Sequence, residues 1–512
     1  MGACSQDAKG QSVLRMSQIK KVLIANRGEI ALRIIRTCRE KNIPTVALYS
    51  DSDSTSPHVL AADESVYIGA SESSESYLNT EKILNAAQST GSNAIHPGYG
   101  FLSENGHFAE LCRDHDLIFI GPGSDVIHLM GDKTTARSLA EKVGIPYPPG
   151  SKNELADVDE GKKVANSIGF PVLIKAAAGG GGKGMRVIHE VEEFEKAFKA
   201  AKSEAKNAFG DDRVFVEKYL ENPRHIEIQI FADQHGNVVH LFERECSIQR
   251  RHQKVIEESP SVVLDSELRA KMGKAAVDIA KACNYVGAGT VEFLVDKHRK
   301  FYFLEMNTRL QVEHPVTELI TGLDLVSLQI DVSNGLKLPF SQDEISFDGH
   351  AIECRIYAED PENHFLPSTG KLLRHRIPSG PGVRVDSGIE EGQTVSIYYD
   401  PMISKLCVYA SNRQNAIQKM KRALIEYDIS GVSTTIPFCI SVMENREFQE
   451  GNYDTHYVQN HFKPDESSLK GVNSIIALVS SLIKKENRTE TAIHNNLNEH
   501  RSSGWWEQRK SV

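Results

Sequence analysis

Residues 174–188 read IKAAAGGGGKGMRVI, five glycines and a lysine set between two short runs of strand character. Glycine lets backbone amides come close to anionic oxygens and Lys183 adds a positive charge, so this segment can cover a phosphate group. It is not a Walker A loop, because Gly184 rather than Ser or Thr follows the lysine. It is not a dinucleotide-binding turn, since a strand follows the glycines. On this evidence the segment is either a phosphate-covering loop or a flexible hairpin tip.

Strand-like and helical runs alternate in the part of the chain before this segment. Residues 20–25 and 45–49 are apolar runs of strand length, and residues 28–41 between them carry isoleucines at helical spacing. This alternation predicts a doubly wound parallel sheet, an α/β architecture. Residues 213–335 are instead strand-rich and densely charged, which indicates an α+β region and a multidomain chain.

Changes in composition divide the 512 residues into five expected regions. In residues 468–485 apolar side chains recur at steps of three and four, which predicts an amphipathic helix. With Trp505 and Trp506 nearby, we expect this tail to dock a partner protein, and a frayed terminus is the alternative. The expected regions are a disordered extension over 1–17, an N-terminal domain over 18–129, a central domain over 130–346 with a mobile lid at about 148–216, a C-terminal domain over 347–462, and a C-terminal extension over 463–512.

The overall composition is that of a globular protein and excludes several classes. Hydrophobic residues make up 40% and charged residues 25%, which is unlike a disordered chain. The net charge of −10 argues against nucleic-acid binding, and no apolar run is long enough to cross a membrane. The eight cysteines are scattered without a CxxC pair, so we expect reduced thiols and a cytoplasmic location.

Two acidic residues are expected to face each other across a hairpin. Glu292 lies in GTVEFLV and Glu305 in FYFLEMN, and a polar turn joins these strands. If the turn is symmetric about His298 and Arg299, the two glutamates are directly opposite and repel unless a cation lies between them. Asn307 shares their face, and an all-oxygen ligand set suits Mg²⁺ or Mn²⁺. The alternative is a pair of solvated carboxylates on an edge strand.

The segment MNTRLQVEH at residues 306–314 places four polar side chains at alternate positions after the second of these strands. Arg309 is suited to holding a small oxyanion, and Glu313 could remove a proton from it. Asn307 and Gln311 share this face, and an internal salt bridge is the alternative. The basic segment at residues 243–254, ERECSIQRRHQK, is either a solvated face or part of a polyphosphate pocket.

Taken together, the motifs resemble those of biotin carboxylase over roughly residues 20–462. The resemblance implies an ATP-grasp fold with a Rossmann-like pre-ATP-grasp domain at the N-terminus and a biotin carboxylase C-terminal domain. It implies that the glycine segment is a lid over ATP. The motifs that carry it are IANRGEIALR (24–33), HPGYGFLSEN (96–105), MGDK (130–133), the glycine segment, KYLENPRHIEIQI (218–230), ECSIQRRHQK (245–254), EMNTRLQVEHPVTE (305–318), ECRIYAEDP (353–361) and YYDPMISKL (398–406).

The resemblance also implies roles for individual residues. The implied ATP contacts are Lys133, Lys175, Gly180, Gly181, Gly182, Lys183, Gly184, Met185, Glu217, Lys218, Leu220, His225, Gln249, His252, Glu292, Leu294 and Glu305. The implied ligands of two Mg²⁺ or Mn²⁺ ions are Glu292, Glu305 and Asn307. The implied bicarbonate site is Lys254, Arg309, Gln311, Val312 and Glu313, and the implied biotin contacts are Tyr99, Gly100 and Arg355. The implied catalytic residues are Arg309, Glu313, Arg355 and Lys254.

The reaction implied is ATP-dependent carboxylation of biotin through carboxyphosphate, as the first half-reaction of an acetyl-CoA or propionyl-CoA carboxylase. No Met-Lys-Met biotinylation site is found, so we expect a separate biotin carboxyl carrier protein and a separate carboxyltransferase subunit. The family also suggests a homodimer. One alternative is half of a carbamoyl-phosphate synthetase, which would respond to ammonia rather than biotin. The other is a non-catalytic assembly subunit, although the catalytic motifs are intact.

Overall fold

The computed structural model describes residues 18–177 and 185–463. Residues 18–177, 185–360 and 366–462 belong to one compact unit. A short 3-10 turn at Pro361–Asn363 belongs to a second, together with Lys463. The predicted N-terminal extension, the tail helix at 468–485 and both tryptophans lie outside the described residues, as do Gly180, Gly181, Gly182, Lys183 and Gly184.

The N-terminal part is the predicted doubly wound sheet. Its five strands are all parallel and run in the order β3-β2-β1-β4-β5. Successive residues of β1 enter opposite cores, with Val22 and Ile24 on one face and Leu23 on the other, because helices cover both faces. The elements are β1 (Val22–Ile24), α1 (Gly28–Glu40), β2 (Thr45–Ser50), α2 (Pro57–Ala61), β3 (Glu64–Gly69), α3 (Thr80–Thr90), β4 (Ala94–His96), α4 (Gly106–Asp114), β5 (Ile118–Phe119) and α5 (Ser124–Gly131).

A small antiparallel sheet follows, in the order β7-β6-β8. Strands β6 and β7 pair with Val172 opposite Ile188, so the glycine segment does join two paired strands. This module has its own apolar core, built around Phe194 and Phe198. The mobility of the predicted lid stays a prediction. The elements are α6 (Lys133–Lys142), α7 (Val158–Ile168), β6 (Val172–Ala176), β7 (Arg186–Ile188), α8 (Phe194–Phe209) and β8 (Val214–Lys218).

The largest sheet among the described residues is antiparallel and has eight strands, in the order β13-β12-β9-β10-β11-β14-β21-β19, where β21 is Met402–Ala410 and β19 is Val383–Ser387. Because β14 pairs with β11, the sheet continues past the domain boundary expected near residue 347. The elements are β9 (Arg224–Ala232), β10 (Val238–Arg250), β11 (Gln253–Ser259), α9 (Ser266–Ala282), β12 (Gly287–Val295), β13 (Phe301–Asn307), α10 (His314–Thr321), α11 (Leu325–Ser333) and β14 (His350–Tyr357).

The C-terminal part, residues 347–462, contributes the three strands β14, β19 and β21 to this sheet and packs the helix α12 against it. No described helix has both the length and the hydropathy that crossing a bilayer would require. The remaining elements are β15 (Glu359–Asp360), β16 (Leu366–Pro367), β17 (Gly370–Lys371), β18 (Arg374–Arg376), β19 (Val383–Ser387), β20 (Thr394–Val395), β21 (Met402–Ala410), α12 (Arg413–Glu426), β22 (Asp428–Ser430), α13 (Ile436–Glu444), α14 (Arg446–Glu450) and α15 (Tyr457–His461).

Candidate active site

A cavity of about 400 Å³ collects most of the predicted site residues. It is lined by strands of both the small and the central antiparallel sheets. The predicted residues that line it are Lys133, Lys175, Met185, Glu217, Lys218, Leu220, His225, Gln249, His252, Lys254, Glu292, Leu294, Glu305, Asn307, Arg309, Gln311, Val312 and Arg355. Glu313 lies behind this lining, fully buried, and contacts two of its members.

The β12–β13 hairpin brings Glu292 directly opposite Glu305, as predicted. The symmetric turn assumed for that prediction is wrong. Val295 pairs with Phe301, so the turn is one residue tighter than assumed. A bulge beside Glu292 then shifts the register by one residue and brings the two glutamates opposite each other.

Lys254 is the centre of a buried ionic network. Its Nζ donates to Glu227 Oε2 at 2.5 Å, to Glu292 Oε1 at 2.8 Å and to Glu313 Oε1 at 2.8 Å. Burial alone would lower the pKa of Lys254, but these three carboxylates raise it well above its usual range. The cavity therefore contains a permanent ammonium group at this point.

Glu313 is held between two cations at the start of α10. Its Oε1 accepts from Lys254, and its Oε2 accepts from Arg355 Nη2 at 2.9 Å. Burial would raise the pKa of Glu313, but the two cations lower it well below its ordinary value. Arg355 also donates from Nε to Glu257 Oε1 at 2.6 Å. Glu313 is therefore an ionised carboxylate, and its basicity is modest while both cations hold it.

Arg309 lies at the edge of the cavity, in the loop after β13. Its Nη1 donates to Gln311 Oε1 at 3.1 Å, and its Nη2 lies 3.5 Å from Asn307 Oδ1. Its Nε donates to Glu104 Oε2 at 2.8 Å. The guanidinium thus faces the cavity together with the amide of Gln311, an arrangement able to hold a small oxyanion.

The three predicted metal ligands share one side of the hairpin. Asn307 Nδ2 lies 2.8 Å from Glu292 Oε1, and His225 Nε2 lies 2.9 Å from Glu292 Oε2. Glu305 Oε2 is 3.8 Å from Lys133 Nζ. Two carboxylates and an amide beside lysines form a donor set that fits a hard divalent cation bound to phosphate. One oxygen of Glu292 also lies within 4.8 Å of ligand atoms of His225 and Glu227, two residues not predicted as ligands.

Charged side chains also line the end of the cavity under the small sheet. Glu217 is paired with Lys175 and, at 3.1 Å, with Arg137. Gln249 contacts His225 Nδ1 at 3.0 Å. Lys218 Nζ donates to the backbone carbonyl of Phe170 at 2.9 Å. Lys175 lies next to the last residue of β6, whereas Lys218 pairs with Val172 at its first residue, so the two lysines reach the cavity from opposite ends of that strand.

Tyr99 and Gly100 do not line the cavity, unlike the other predicted biotin residue, Arg355. The Tyr99 ring lies 5.8 Å from the ammonium of Lys405. That ammonium donates to the backbone carbonyl of Val312 at 2.8 Å. Two contacts therefore separate Tyr99 from the predicted bicarbonate site.

Several residues at or beneath the cavity were not predicted from the sequence. Glu227 and Arg244 form a fully buried ion pair at 2.5 Å beneath Lys254. Alternating polar side chains within the apolar strand HIEIQI could have revealed Glu227. His456, whose Nε2 lies 2.8 Å from Tyr219 Oη, joins the cavity wall from α15's N-terminal side, and no local spacing indicates this.

Family comparisons match nearly the whole described chain. Three family models match in succession. They are "Biotin carboxylase, N-terminal domain" at residues 18–127, "Carbamoyl-phosphate synthase L chain, ATP binding domain" at 132–341, and "Biotin carboxylase C-terminal domain" at 353–460. The chain is 54% identical over 439 residues to a biotin carboxylase of Nostoc sp., covering 86% of this chain and 98% of that protein.

Solved structures agree with these matches. A biotin carboxylase complex with β,γ-ATP from Campylobacter jejuni is 51% identical, with a TM-score of 0.85, and covers 87% of this chain and 99% of that one. The biotin carboxylase domain dimer of the Hydrogenobacter thermophilus 2-oxoglutarate carboxylase, in complex with MgADP, ADP and bicarbonate, is 48% identical, with a TM-score of 0.84. It covers 87% of this chain and 98% of that one. The ATP-grasp fold expected from the sequence is therefore confirmed.

Proposed function

The chain belongs to the biotin carboxylase family, ligases that carboxylate biotin with ATP and bicarbonate, and we propose that its biotin is presented by a separate biotin carboxyl carrier protein. We propose carboxyphosphate as the intermediate. The observation that carries this proposal is the network of Lys254, Glu313 and Arg355 at the cavity, next to Arg309. It puts a carboxylate and three cations around one small volume, as activation of an oxyanion requires.

Bicarbonate is a poor nucleophile, so the first task is to orient it and remove its proton. Arg309 and Gln311 would hold its oxygens, with Lys254 and the backbone amide of Val312, in line with the γ-phosphate of ATP. Glu313 would accept the proton. Because Glu313 is a weak base, the neighbouring cations must also make the bound bicarbonate more acidic, and Lys254 is placed to do this.

Glu292, Glu305 and Asn307 would hold one or two Mg²⁺ or Mn²⁺ ions. A bound divalent ion would neutralise charge on the phosphates during phosphoryl transfer. Lys133 and Lys175, which line the same cavity, would add to this stabilisation. The glycine segment and Met185 would cover the nucleotide and exclude water from carboxyphosphate. The remaining lining residues, Glu217, Lys218, Leu220, His225, Gln249, His252 and Leu294, are proposed as nucleotide contacts.

Carboxyphosphate would break its bond between carbon and the bridging oxygen to give CO₂ and phosphate, and that phosphate would accept the N1 proton of biotin as N1 attacks CO₂. Arg355 would stabilise the enolate-like oxygen that develops when biotin loses this proton. The guanidinium of Arg355 is buried, and burial alone would lower its pKa. The negative charges of Glu257 and Glu313 instead raise that pKa well above its ordinary value. Arg355 therefore remains charged during the reaction. Tyr99 and Gly100 are proposed to contact biotin from the N-terminal domain.

We further propose a carboxyltransferase partner, a homodimer, and an acetyl-CoA or propionyl-CoA acceptor for the carboxyl group. A dimer is supported by the Hydrogenobacter structure, which is itself one. That structure comes from a 2-oxoglutarate carboxylase, so similarity to it does not identify the molecule that accepts the carboxyl group from biotin. The five regions given above remain our proposed domain division, and the tail docking a partner subunit remains a proposal.

The direct test is ATP turnover by the purified chain with bicarbonate, Mg²⁺ and either free biotin or a biotinylated carrier protein. We expect biotin to raise ADP release and labelled bicarbonate to appear on the carrier. If biotin leaves the rate unchanged and ammonia raises it, the carbamoyl-phosphate alternative is favoured and the proposal is wrong. Capture of partners from the source cells, followed by assays with acetyl-CoA and propionyl-CoA, tests the acceptor.

A further inference from the structure

Glu104, in the turn before α4, contacts the bicarbonate side of the cavity from the N-terminal parallel-sheet region. Its Oε2 accepts from Arg309 Nε at 2.8 Å, and its Oε1 accepts from the backbone N–H of Thr308 at 3.1 Å. Both carboxylate oxygens therefore accept hydrogen bonds from one loop, from Thr308 and Arg309, which are 204 and 205 residues away in sequence. The motif LSEN at residues 102–105 contains this glutamate, and the proposed function above gives it no role.

The contact is made with one edge of the guanidinium only. On the other side, Arg309 Nη1 donates to the Leu310 carbonyl and to Gln311, while Nη2 has one long contact of 3.5 Å to Asn307. The Nη2 donors are therefore the least used of the group. An anion that accepts from Nη2 leaves the hydrogen bond between Nε and Glu104 intact, so it need not displace that carboxylate.

We propose that Glu104 is a positioning residue for bicarbonate, which fixes the direction in which Arg309 presents its Nη2 group to the cavity. This inference rests on the proposed function, in which Arg309 holds bicarbonate. A fixed position matters because the long side chain of an arginine otherwise samples many rotamers. Even a small displacement of a group that orients the substrate lowers the reaction rate. Asn105 supports the arrangement, since its side chain caps α4 by accepting from the Phe108 N–H at 2.9 Å.

The opposite role would be a counter-ion that blocks Arg309 until bicarbonate displaces it. The backbone contact to Thr308 argues against this, because it holds the carboxylate in place whether or not an anion is bound. The exposure of the Glu104 side chain indicates that its ion pair with Arg309 contributes little to the free energy of unfolding. The Glu104 side chain is 39% exposed, and pairs of this kind add little to stability. A positioning role therefore predicts altered kinetics with little change in the melting temperature.

The test compares Glu104→Ala and Glu104→Gln with the wild-type chain in biotin-dependent ATP turnover. We expect Glu104→Ala to raise the KM for bicarbonate about 10- to 100-fold, with the KM for ATP changed less than about twofold. Glu104→Gln should have a smaller effect, because its single amide oxygen replaces only one of the two acceptors. Asp114→Asn, at the exposed end of α4, is the matched control and should leave both constants unchanged.

A second measurement asks whether Glu104 acts through Arg309. In an Arg309→Ala background, adding Glu104→Ala should change kcat/KM for bicarbonate by less than about twofold. An unchanged or lowered KM for bicarbonate in Glu104→Ala would overturn the inference, as would equal rises in both KM values with a lowered melting temperature. If the wild-type chain itself shows no bicarbonate-dependent turnover, the proposed function fails and this inference fails with it.

Discussion

Replacing Glu313 by Gln tests the centre of the site with the smallest change of shape. Its carboxylate accepts from Lys254 on one oxygen and from Arg355 on the other, and it is fully buried. An amide keeps one acceptor and turns its NH₂ group toward a cation, so one charged hydrogen bond is lost and the other is weakened. Loss of a general base lowers the rate by about 10²- to 10⁴-fold.

The effect on stability should be smaller than for an isolated buried ion pair. A hydrogen bond to a charged group contributes about 1.5–3 kcal/mol. Lys254 keeps its contacts to Glu227 and Glu292, and Arg355 keeps Glu257. The negative charge of Glu313 is also one reason why the pKa of Glu257 is raised, so its removal should let Glu257 ionise and restore charge near Arg355. We expect the variant to lose about 1–3 kcal/mol of unfolding free energy.

Carboxylation of biotin and urea unfolding of the variant should be measured together. The control is Glu353→Gln. Glu353 is equally buried, and among the described residues its side chain accepts one hydrogen bond, from Cys407 Sγ at 3.3 Å. Burial raises the pKa of Glu353 well above its ordinary value, so a neutral amide matches its charge, and activity should stay within about threefold. A Glu313→Gln variant with near-normal turnover would refute the assignment of Glu313 as the base.

Three further results are expected. Burial raises the pKa of Glu257 from 4.5 to about 7, so the folded chain holds a proton that the unfolded chain releases, and stability is lost as the pH rises from 4.5 to 7. From pH 5.5 to pH 8, urea unfolding of the wild type should therefore lose about 2 kcal/mol more than that of Glu257→Gln, and equal losses would contradict that raised pKa. Arg355→Ala should abolish carboxylation of biotin while nucleotide binding, followed by fluorescence titration, is retained, and surviving carboxylation would exclude its proposed role. Glu305→Gln should raise the Mg²⁺ concentration needed for half-maximal turnover by about tenfold or more, whereas normal turnover at low Mg²⁺ would exclude the hairpin metal site.

The sequence predicted those parts of the site that depend on local periodicity. Residues on adjacent strands joined by a short turn, such as Glu292 and Glu305, can be paired from the sequence because strand spacing fixes their neighbours. The predicted pairing of Glu292 with Glu305 is correct, but the assumed turn is not. The real turn is one residue shorter, and the bulge beside Glu292 shifts the register back by one residue. The parallel sheet was also predictable, because its strands and helices alternate in order along the chain.

Contacts between distant segments could not be predicted in this way. Glu104 reaches Arg309 across 205 residues, and His456 reaches Tyr219 across 237, so no periodicity links them. The continuous eight-stranded sheet was missed for a related reason. Strand β14 follows the expected boundary near residue 347, but it completes its hydrogen bonds on β11, which precedes that boundary.

The balance of charge around Lys254 explains why the base at this site can be weak. Glu227, Glu292 and Glu313 surround one ammonium group, and the contacts to Glu227 and Glu292 hold that cation in place beside the proposed base. A strongly basic Glu313 would need to lose its cations, and it would then take up a proton before bicarbonate arrives. With the cations in place Glu313 stays ionised. In the proposed mechanism the same cations would lower the pKa of the bound bicarbonate, so the pKa difference between the proton donor and Glu313 would be small. Replacing Lys254 by Met should therefore reduce turnover at least as much as Glu313→Gln does, and turnover that recovers as the pH is raised would support this account, because bicarbonate would then lose its proton without help from the ammonium group.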